Sequence, residues 1–209
     1  MRVCCIADLH GHVPADIPPC DLLLIAGDLG PDDPRDGAVW LEQRFVPWLA
    51  RQPAAEVAAI AGNHDYVALK RPDLLREIDG WHYLENEAAT IAGLRVAGSP
   101  WSLTFGIWPL QGPEEELDEI WQTIPDETEV VLVHGPPYGY GDVTARGDHG
   151  GSRTLLERLL ALPRLKLVCT GHIHESHGQA ALPTGALVVN ASLVDVALRP
   201  VFEPIVVDL

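Results

Sequence analysis

The stretch Val3-Cys4-Cys5-Ile6-Ala7-Asp8-Leu9-His10 decides the fold class, because an apolar run ends abruptly in two polar residues. A short run that is apolar on both faces is typical of a buried strand in an α/β protein. Asp8 and His10 stand two residues apart, a spacing that places both side chains on one face of an extended chain. The stretch therefore predicts a buried strand that delivers two possible metal ligands to its carboxyl end.

The same arrangement recurs four more times along the chain. Further apolar runs end in Gly27-Asp28, in Gly62-Asn63-His64-Asp65, in His134-Gly135 and in Gly171-His172-Ile173-His174. Ligand sites in open α/β sheets form outside the carboxyl ends of the strands. Five such strand ends can therefore assemble one polar cluster.

The apolar runs alternate with stretches that have helical patterns. Strands are predicted at residues 3–7, 22–26, 57–61, 94–98, 130–133, 165–170 and 187–190, and helices at 38–51, 72–78, 114–124 and 152–162. Pro47 is expected to kink the first helix or to end it early, and Ser152 is the expected N-cap of the last. The early β-α-β order predicts parallel strands covered by helices, an α/β class. A chain of 209 residues predicts a single catalytic domain over residues 1–209.

The candidate metal ligands share a position just after a strand, and they are Asp8, His10, Asp28, Asn63, His134, His172 and His174. Two carboxylates, an amide and four imidazoles without a thiolate favour manganese, iron or zinc over copper(I) or an iron–sulfur cluster. Each motif alone is weak, because a lone histidine after a strand is more often structural. Together, however, so many polar groups at one sheet edge would lose solvation, a penalty that metal coordination would offset.

In this order, D-x-H, G-D, G-N-H-D, H-G and G-H-x-H resemble the calcineurin-like metallophosphoesterase superfamily. Residues 134–138, 171–175 and 190–192 are most similar to the small class that includes the MPPED phosphodiesterases. The resemblance implies a four-layer αββα sandwich with two facing mixed sheets. It also implies two divalent ions, bridged by Asp28, with His64 as the catalytic residue that contacts the phosphate. One ion would be held by Asp8, His10, Asp28 and His174, and the other by Asp28, Asn63, His134 and His172.

One position departs from the family pattern. Many members read G-D-x-x-D, and the final acid orients the histidine that corresponds to His64. This chain has Pro31 at that position. Asp32, Asp33 and Asp65 are the candidates to replace the acid, and without a replacement His64 would be less firmly held.

The composition limits the possible partners. A formal net charge of -16 argues against binding to a nucleic acid duplex, which usually requires a basic face. The sequence shows neither a signal peptide nor a transmembrane run, so a cytoplasmic protein that does not bind membranes is expected. Cys4, Cys5, Cys20 and Cys169 form no C-x-x-C pair, and buried thiols are the expected state.

The predicted function is two-metal hydrolysis of small phosphodiesters, with cyclic nucleotides among the candidates. A protein Ser/Thr phosphatase is the alternative enzyme. A non-catalytic scaffold on the same fold is the alternative of a different class, and the intact Asn63-His64 pair argues against it. The sequence leaves the physiological substrate, the native metals and the oligomeric state open.

Overall fold

The structure, a computed structural model, describes residues 1–33, 35 and 37–209. The strands are β1 (Arg2–Ile6), β2 (Cys20–Ala26), β3 (Ala54–Ile60), β4 (His82–Tyr83), β5 (Glu87–Ile91), β6 (Leu94–Ser99), β7 (Ser102–Leu103), β8 (Gln111–Gly112), β9 (Val130–Val133), β10 (Leu167–Thr170), β11 (Gly178–Ala181), β12 (Leu187–Asn190) and β13 (Ile205–Asp208). The α-helices are α1 (Gly37–Trp40), α2 (Val46–Leu49), α3 (Tyr66–Lys70), α4 (Pro72–Glu77), α5 (Glu114–Trp121) and α6 (Arg153–Ala161). A π-helical segment (Leu41–Phe45) joins α1 to α2, and a 3₁₀ turn covers His174–Ser176.

Two large sheets carry most of the strands. The first sheet has the order β13-β1-β2-β3-β4, and the second has the order β11-β12-β10-β9-β6-β5. Parallel pairs form the centre of both sheets, as the early β-α-β order predicts. Antiparallel strands lie at the edges, where β13 pairs with β1, β11 with β12 and β5 with β6. Both sheets are therefore mixed.

The alternation of side chains along β1 shows how the first sheet is covered. Cys4 and Ile6 belong to a core that also contains Phe45 from the helical segment after β2. Val3 and Cys5 point to the opposite face and pack in a core shared with strands of the second sheet. The first sheet therefore lies between a helical layer and the second sheet.

The second sheet is covered in the same way on its outer face. Val131 and Val133 of β9 pack with Trp121 of α5 and Leu155 of α6, whereas Leu132 faces the first sheet. The layers thus follow the order helix, sheet, sheet, helix. This arrangement confirms the four-layer αββα sandwich.

The helix predicted over residues 38–51 is interrupted just before Pro47 and ends at Leu49, two residues earlier than predicted. Helical structure continues through Val46–Leu49, and the turn just before it is π-helical, with the backbone N–H of Val46 donating to the carbonyl of Leu41. Proline lacks an N–H and crowds the preceding turn, so a local change of helical pitch accommodates it. Among the described residues, no helix is long and apolar enough to span a membrane.

Candidate metal centre and active site

The predicted ligands come from both sheets and lie just after the strands. Asp8 follows β1, Asp28 follows β2 and Asn63 follows β3, all in the first sheet. His134 follows β9 and His172 follows β10 in the second sheet. The five strand ends that carry the motifs therefore meet at one end of the sandwich.

The backbone is strained at four of the predicted ligands. Asp8, His10, Asp28 and His172 have φ angles of 53°, 41°, 51° and 70°. Residues with a side chain rarely adopt this left-handed region, and such outliers concentrate at functional sites. The surrounding fold therefore holds the backbone of these four residues in a conformation that is unfavourable in an unconstrained loop.

Two glycines leave room for the ligands. A Cβ at Gly62 would lie 2.3 Å from Asp28 Oδ1 and 2.7 Å from the His134 ring. A Cβ at Gly171 would lie 2.4 Å from Asp8 Oδ2. All three distances are shorter than the contacts that real Cβ atoms make, so glycine is required where the ligand loops approach each other.

The first predicted ligand group is assembled as the resemblance implies. Single ligand atoms of Asp8, His10, Asp28 and His174 all lie within 4.8 Å of one another. His10 Nε2 is 3.6 Å from Asp28 Oδ2, and His174 Nε2 is 3.8 Å from Asp8 Oδ1. A cluster of this size matches what one cation can gather, since metal–ligand distances are about 2.0–2.2 Å.

The second predicted group lies beside the first and shares Asp28 with it. His134 Nε2 is 2.9 Å from Asn63 Oδ1 and 3.3 Å from Asp28 Oδ2. The His172 ring lies against His134, with their centroids 5.0 Å apart. The structure thus brings all seven predicted ligands together, with Asp28 between the two groups.

The hydrogen bonds of the histidines show which nitrogen faces the centre. Nδ1 of His134 lies 2.8 Å from the carbonyl of Ala26, and Nδ1 of His174 lies 3.2 Å from that of Asp195. A carbonyl only accepts, so each Nδ1 carries the proton and each Nε2 keeps its lone pair. The carboxylate of Asp32 accepts from Nδ1 of His10 at 2.8 Å in the same way.

These tautomers leave like groups facing each other. His10 Nε2 lies 3.2 Å from His174 Nε2, so in the neutral rings two lone pairs face each other unless a proton or a metal ion stands between them. His134 Nε2 likewise faces the acceptor Oδ1 of Asn63, while the buried Nδ2 of Asn63 has no hydrogen-bond partner among the described residues. Buried polar groups are normally satisfied. The donor set therefore fits bound divalent ions.

The electrostatics favour positive charge at the same place. Burial alone would lower the pKa of His10 and of His134, but the neighbouring carboxylates raise both to about 9. Burial raises the pKa of Asp28, but the surrounding histidines, chiefly His134, outweigh it and hold that pKa well below its ordinary value. A cation at this point is thus stabilised by two buried carboxylates, Asp8 and Asp28.

Asp32 occupies the position of the acid that Pro31 replaces. Its Oδ1 lies 2.9 Å from Nδ1 of His64 and also accepts from His10. The contact with His64 is close, although it lacks the alignment of a hydrogen bond. Asp33, another of the three candidates, instead pairs with Arg35 at the surface. Asp32 therefore connects a predicted ligand to the predicted catalytic histidine.

Asp65, the third candidate, has a structural position. Its buried carboxylate accepts from the backbone N–H groups of Leu29, Gly30 and Gly62 at 2.8–3.1 Å. Burial and the nearby Asp28 raise the pKa of Asp65 to about 6. Asp65 therefore ties the loop after β2 to the loop after β3 and does not orient His64.

Asn190 at the end of β12 and Ser192 just after it support the site, although the sequence assigned them no role. Ser192 Oγ donates to Asp8 Oδ2 and, at 2.9 Å, contacts Asn190 Oδ1. Asn190 Nδ2 donates to the carbonyls of Gly171 and Ile173 at 3.2 and 2.9 Å. The run Asn190-Ala191-Ser192 thus fixes Asp8 and the loop that carries His172. Its resemblance to the small diesterase class was the only signal in the sequence.

Comparison with known proteins identifies the family. The family model described as calcineurin-like phosphoesterase matches residues 1–176. The chain belongs to this family. The phosphoesterase is 30% identical over 235 residues to metallophosphoesterase domain-containing protein 1 of Homo sapiens, covering 100% of this chain and 71% of the relative. The resemblance stated from the motifs is therefore confirmed, and the chain is a metal-dependent phosphoester hydrolase.

Two further proteins are similar to this chain, one in sequence and the other in fold. A protein named probable cyclic nucleotide phosphodiesterase from Synechococcus is 28% identical over 182 residues, covering 80% of this phosphoesterase and 64% of the relative. A crystal structure of a dimetal phosphatase from Danio rerio matches with a TM-score of 0.55 and 13% identity. It covers 90% of this chain and 86% of the other. This likeness confirms the fold.

Proposed function

We propose that this phosphoesterase uses two divalent ions to hydrolyse small phosphodiesters, with cyclic nucleotides among the candidate substrates. The observation that carries the proposal is the pair of ligand groups that share Asp28. Asp8, His10, Asp28 and His174 would hold one ion, and Asp28, Asn63, His134 and His172 the other. When bound, manganese, iron or zinc ions supply Lewis-acid chemistry that activates water and withdraws charge from the phosphoryl oxygens.

The residues of the chain supply orientation and a proton. Asp32 lies at Nδ1 of His64, so Nε2 is the nitrogen left to donate. We assign His64 the role of general acid, which gives its proton to the leaving oxygen. The unpartnered Nδ2 of Asn63 is a donor available to a phosphoryl oxygen while Oδ1 faces the metal site.

Charge supports a small substrate. The formal net charge of -16 would repel a nucleic acid duplex and the acidic sequences that often surround phosphorylation sites. Bound cations reverse the sign only locally, at the phosphate itself. The similarity to a protein named as a probable cyclic nucleotide phosphodiesterase agrees with this choice. We propose accordingly a cytoplasmic enzyme that binds neither nucleic acid duplexes nor membranes.

The proposed roles separate His64 from the ligands. His134→Ala is expected to lower metal content and activity together, because it removes a ligand in the ground state. His64→Ala is expected to lower kcat about 10²–10⁴-fold, the range for a general acid, while largely sparing metal content. Elemental analysis of both variants after manganese loading, with the unchanged protein as reference, measures the difference. Empty metal sites in His64→Ala would refute the assigned role.

The substrate class is tested by comparing kcat/KM for different phosphoesters. We expect kcat/KM for bis-p-nitrophenyl phosphate and for a cyclic nucleotide to exceed that for a phosphoserine peptide under the same metal and salt. A clear preference for the peptide would support the protein phosphatase alternative. Absence of activity in a metal-loaded protein would support the scaffold alternative. Either result would contradict the diesterase proposal while leaving the metal-site geometry intact.

A further inference from the structure

An apolar loop packs against two histidines of the site, His64 and His172. This rim loop, residues 104–110, connects β7 to β8. Its Trp108 ring packs on His64 with a centroid distance of 4.1 Å and an interplanar angle of 33°. Its Phe105 ring meets His172 edge-on at 5.2 Å. The loop therefore contacts the predicted catalytic residue with one ring and a predicted metal ligand with the other.

The base of the rim loop is held firmly against the metal centre. Ser102 and Thr104 donate backbone hydrogen bonds to the carbonyls of Leu110 and Gly112 at 3.1 and 3.0 Å. Gly135, the neighbour of His134, donates to the carbonyl of Trp101 at 3.2 Å. A Cβ on Gly135 would lie 2.8 Å from Ser102. The rings are thus placed by a fixed support shared with a ligand loop.

The exposure of the rim loop is unusual for its composition. Phe105 is 63% exposed and Ile107 is 96% exposed, although both are large and apolar. Residues 96–113 contain no Asp, Glu, Lys or Arg, in a chain that carries 30 acidic residues. An exposed apolar patch beside a site commonly marks a ligand-binding surface. Because the patch has no charged residues, it does not repel an anionic substrate as the acidic remainder of the surface would.

We propose that the rim loop selects phosphoesters that carry a planar aromatic group, such as an aryl ring or a nucleobase, by stacking that group on Phe105. Trp108 already packs on His64, so Phe105 is the ring with an open face. The inference rests on the proposed function, because it places the organic part of the substrate next to the phosphate at the metal centre. It makes Phe105 a specificity-determining residue and Trp108 a positioning residue for His64.

Insertion of the loop into a membrane is less consistent with the structure. Loops that bind anionic membranes use Lys and Arg beside their apolar residues, and residues 96–113 have neither. The rings of Phe105 and Trp108 also contact histidines of the site. The absence of basic residues and the ring–histidine contacts both fit a small aromatic ligand bound beside the phosphate. Neither observation fits insertion into a lipid surface.

The test compares two non-hydrolysable ligands that differ by one ring. Phenylphosphonate and methylphosphonate are titrated by calorimetry into the manganese-loaded protein. The unchanged protein is expected to bind phenylphosphonate about fivefold more tightly, or better, as one aromatic contact allows. Phe105→Leu, which keeps an apolar side chain but loses the ring, is expected to abolish that ratio. Ile107→Ala, which removes an even more exposed apolar side chain from the same loop, is the control and is expected to retain it.

A kinetic comparison uses the monomethyl esters of the same two phosphonates, which share a leaving group without a ring, and measures the methanol released. Phe105→Leu is expected to lower kcat/KM for the phenylphosphonate ester about fivefold more than kcat/KM for the methylphosphonate ester. Equal affinities in the unchanged protein, or an unaltered ratio in Phe105→Leu, would overturn the inference. Loss of hydrolysis of both esters with the binding ratio intact would refute the proposed function alone. Sedimentation with anionic phospholipid vesicles that depends on Ile107 would overturn the inference in favour of a membrane loop.

Discussion

Asp32 illustrates how one carboxylate can serve two histidines. It accepts from Nδ1 of His10 and lies 2.9 Å from Nδ1 of His64. Burial raises the pKa of Asp32, but the hydrogen bond from His10 and the close approach of His64 outweigh it and hold that pKa below its ordinary value. The family pattern places an acid at the position of Pro31. In this chain the next residue, Asp32, reaches the His64 ring instead.

Removal of this carboxylate is expected to weaken both histidines. Asp32→Ala should lower kcat/KM by about 10–100-fold and reduce the affinity for manganese, because a residue that supports a metal ligand typically has effects of that size. Steady-state kinetics over a manganese titration measures both quantities. Asp33→Ala is the matched control, since Asp33 pairs with Arg35 at the surface. Identical losses in the two variants would show that the acidity of the loop, and not Asp32, is what matters.

The sequence could name the ligands but not their supporting residues. Each ligand stands at a fixed position after a buried strand, so a pattern of residue types is enough to find it. The choice among Asp32, Asp33 and Asp65 depends on where each side chain points after the turn that follows Asp28, and no residue type records that direction. Asn190 and Ser192 act through contacts with residues far away in the chain, which a linear pattern does not show.

Elements were predictable where they are buried on both faces. The strands at the centre of the sheets appear within a few residues of their predicted bounds, and β9 and β12 appear at those bounds. Some edge strands were missed because they lack an apolar pattern. For example, β11 reads Gly-Gln-Ala-Ala and is largely exposed, and its position depends on pairing with β12. The π-helical turn before Pro47 likewise depends on packing.

The start of α6 shows a predicted N-cap with a partner from another helix. Ser152 Oγ accepts from the backbone N–H of Leu155 at 3.0 Å, as expected of an N-cap. Glu114 at the start of α5 accepts from the Ser152 hydroxyl at 2.6 Å and from the Thr154 backbone at 2.8 Å. The two outer helices are therefore joined at their amino ends.

This contact predicts a dependence of stability on pH. Burial raises the pKa of Glu114, but hydrogen bonds from Ser152 and Thr154 outweigh it and lower that pKa below its ordinary value. A lowered folded-state pKa means that the stabilisation is present above the unfolded pKa and is lost as pH falls through the folded pKa. Denaturation in urea between about pH 6 and pH 3 should show a smaller loss in Glu114→Gln than in the unchanged protein. Parallel curves for the two proteins would contradict the prediction, and Glu115→Gln is the control.

At the scale of the molecule, the candidate metal centre joins the two sheets. Asp8, Asp28 and Asn63 follow strands of the first sheet, whereas His134 and His172 follow strands of the second. Ions held by these residues would act as cross-links between layers that otherwise meet through apolar packing. Metal ions that bind the folded state and not the unfolded chain stabilise the folded state by mass action.

Metal loading is therefore expected to raise the melting temperature. At manganese concentrations about a hundredfold above Kd, one site contributes about 2.7 kcal/mol, which corresponds to a rise of about 5–10 °C for a chain of this size. Differential scanning calorimetry with and without a chelator measures the shift. Asp28→Asn should abolish most of it, because Asp28 belongs to both ligand groups. A chelator-insensitive melting temperature in the unchanged protein would contradict the shared centre.

The bond between Ser192 and Asp8 has a consequence for biosynthesis. The two residues are 184 positions apart, and the backbone N–H of His172, another partner of Asp8, comes 164 positions after it. A ribosome makes Asp8 early and its partners late. The carboxylate must therefore stay solvated on the nascent chain until β10 and β12 emerge and the second sheet closes over it. We therefore expect ion capture to be among the last events in the maturation of this protein, and a chain stalled before Gly171 to be inactive however well its first sheet has formed.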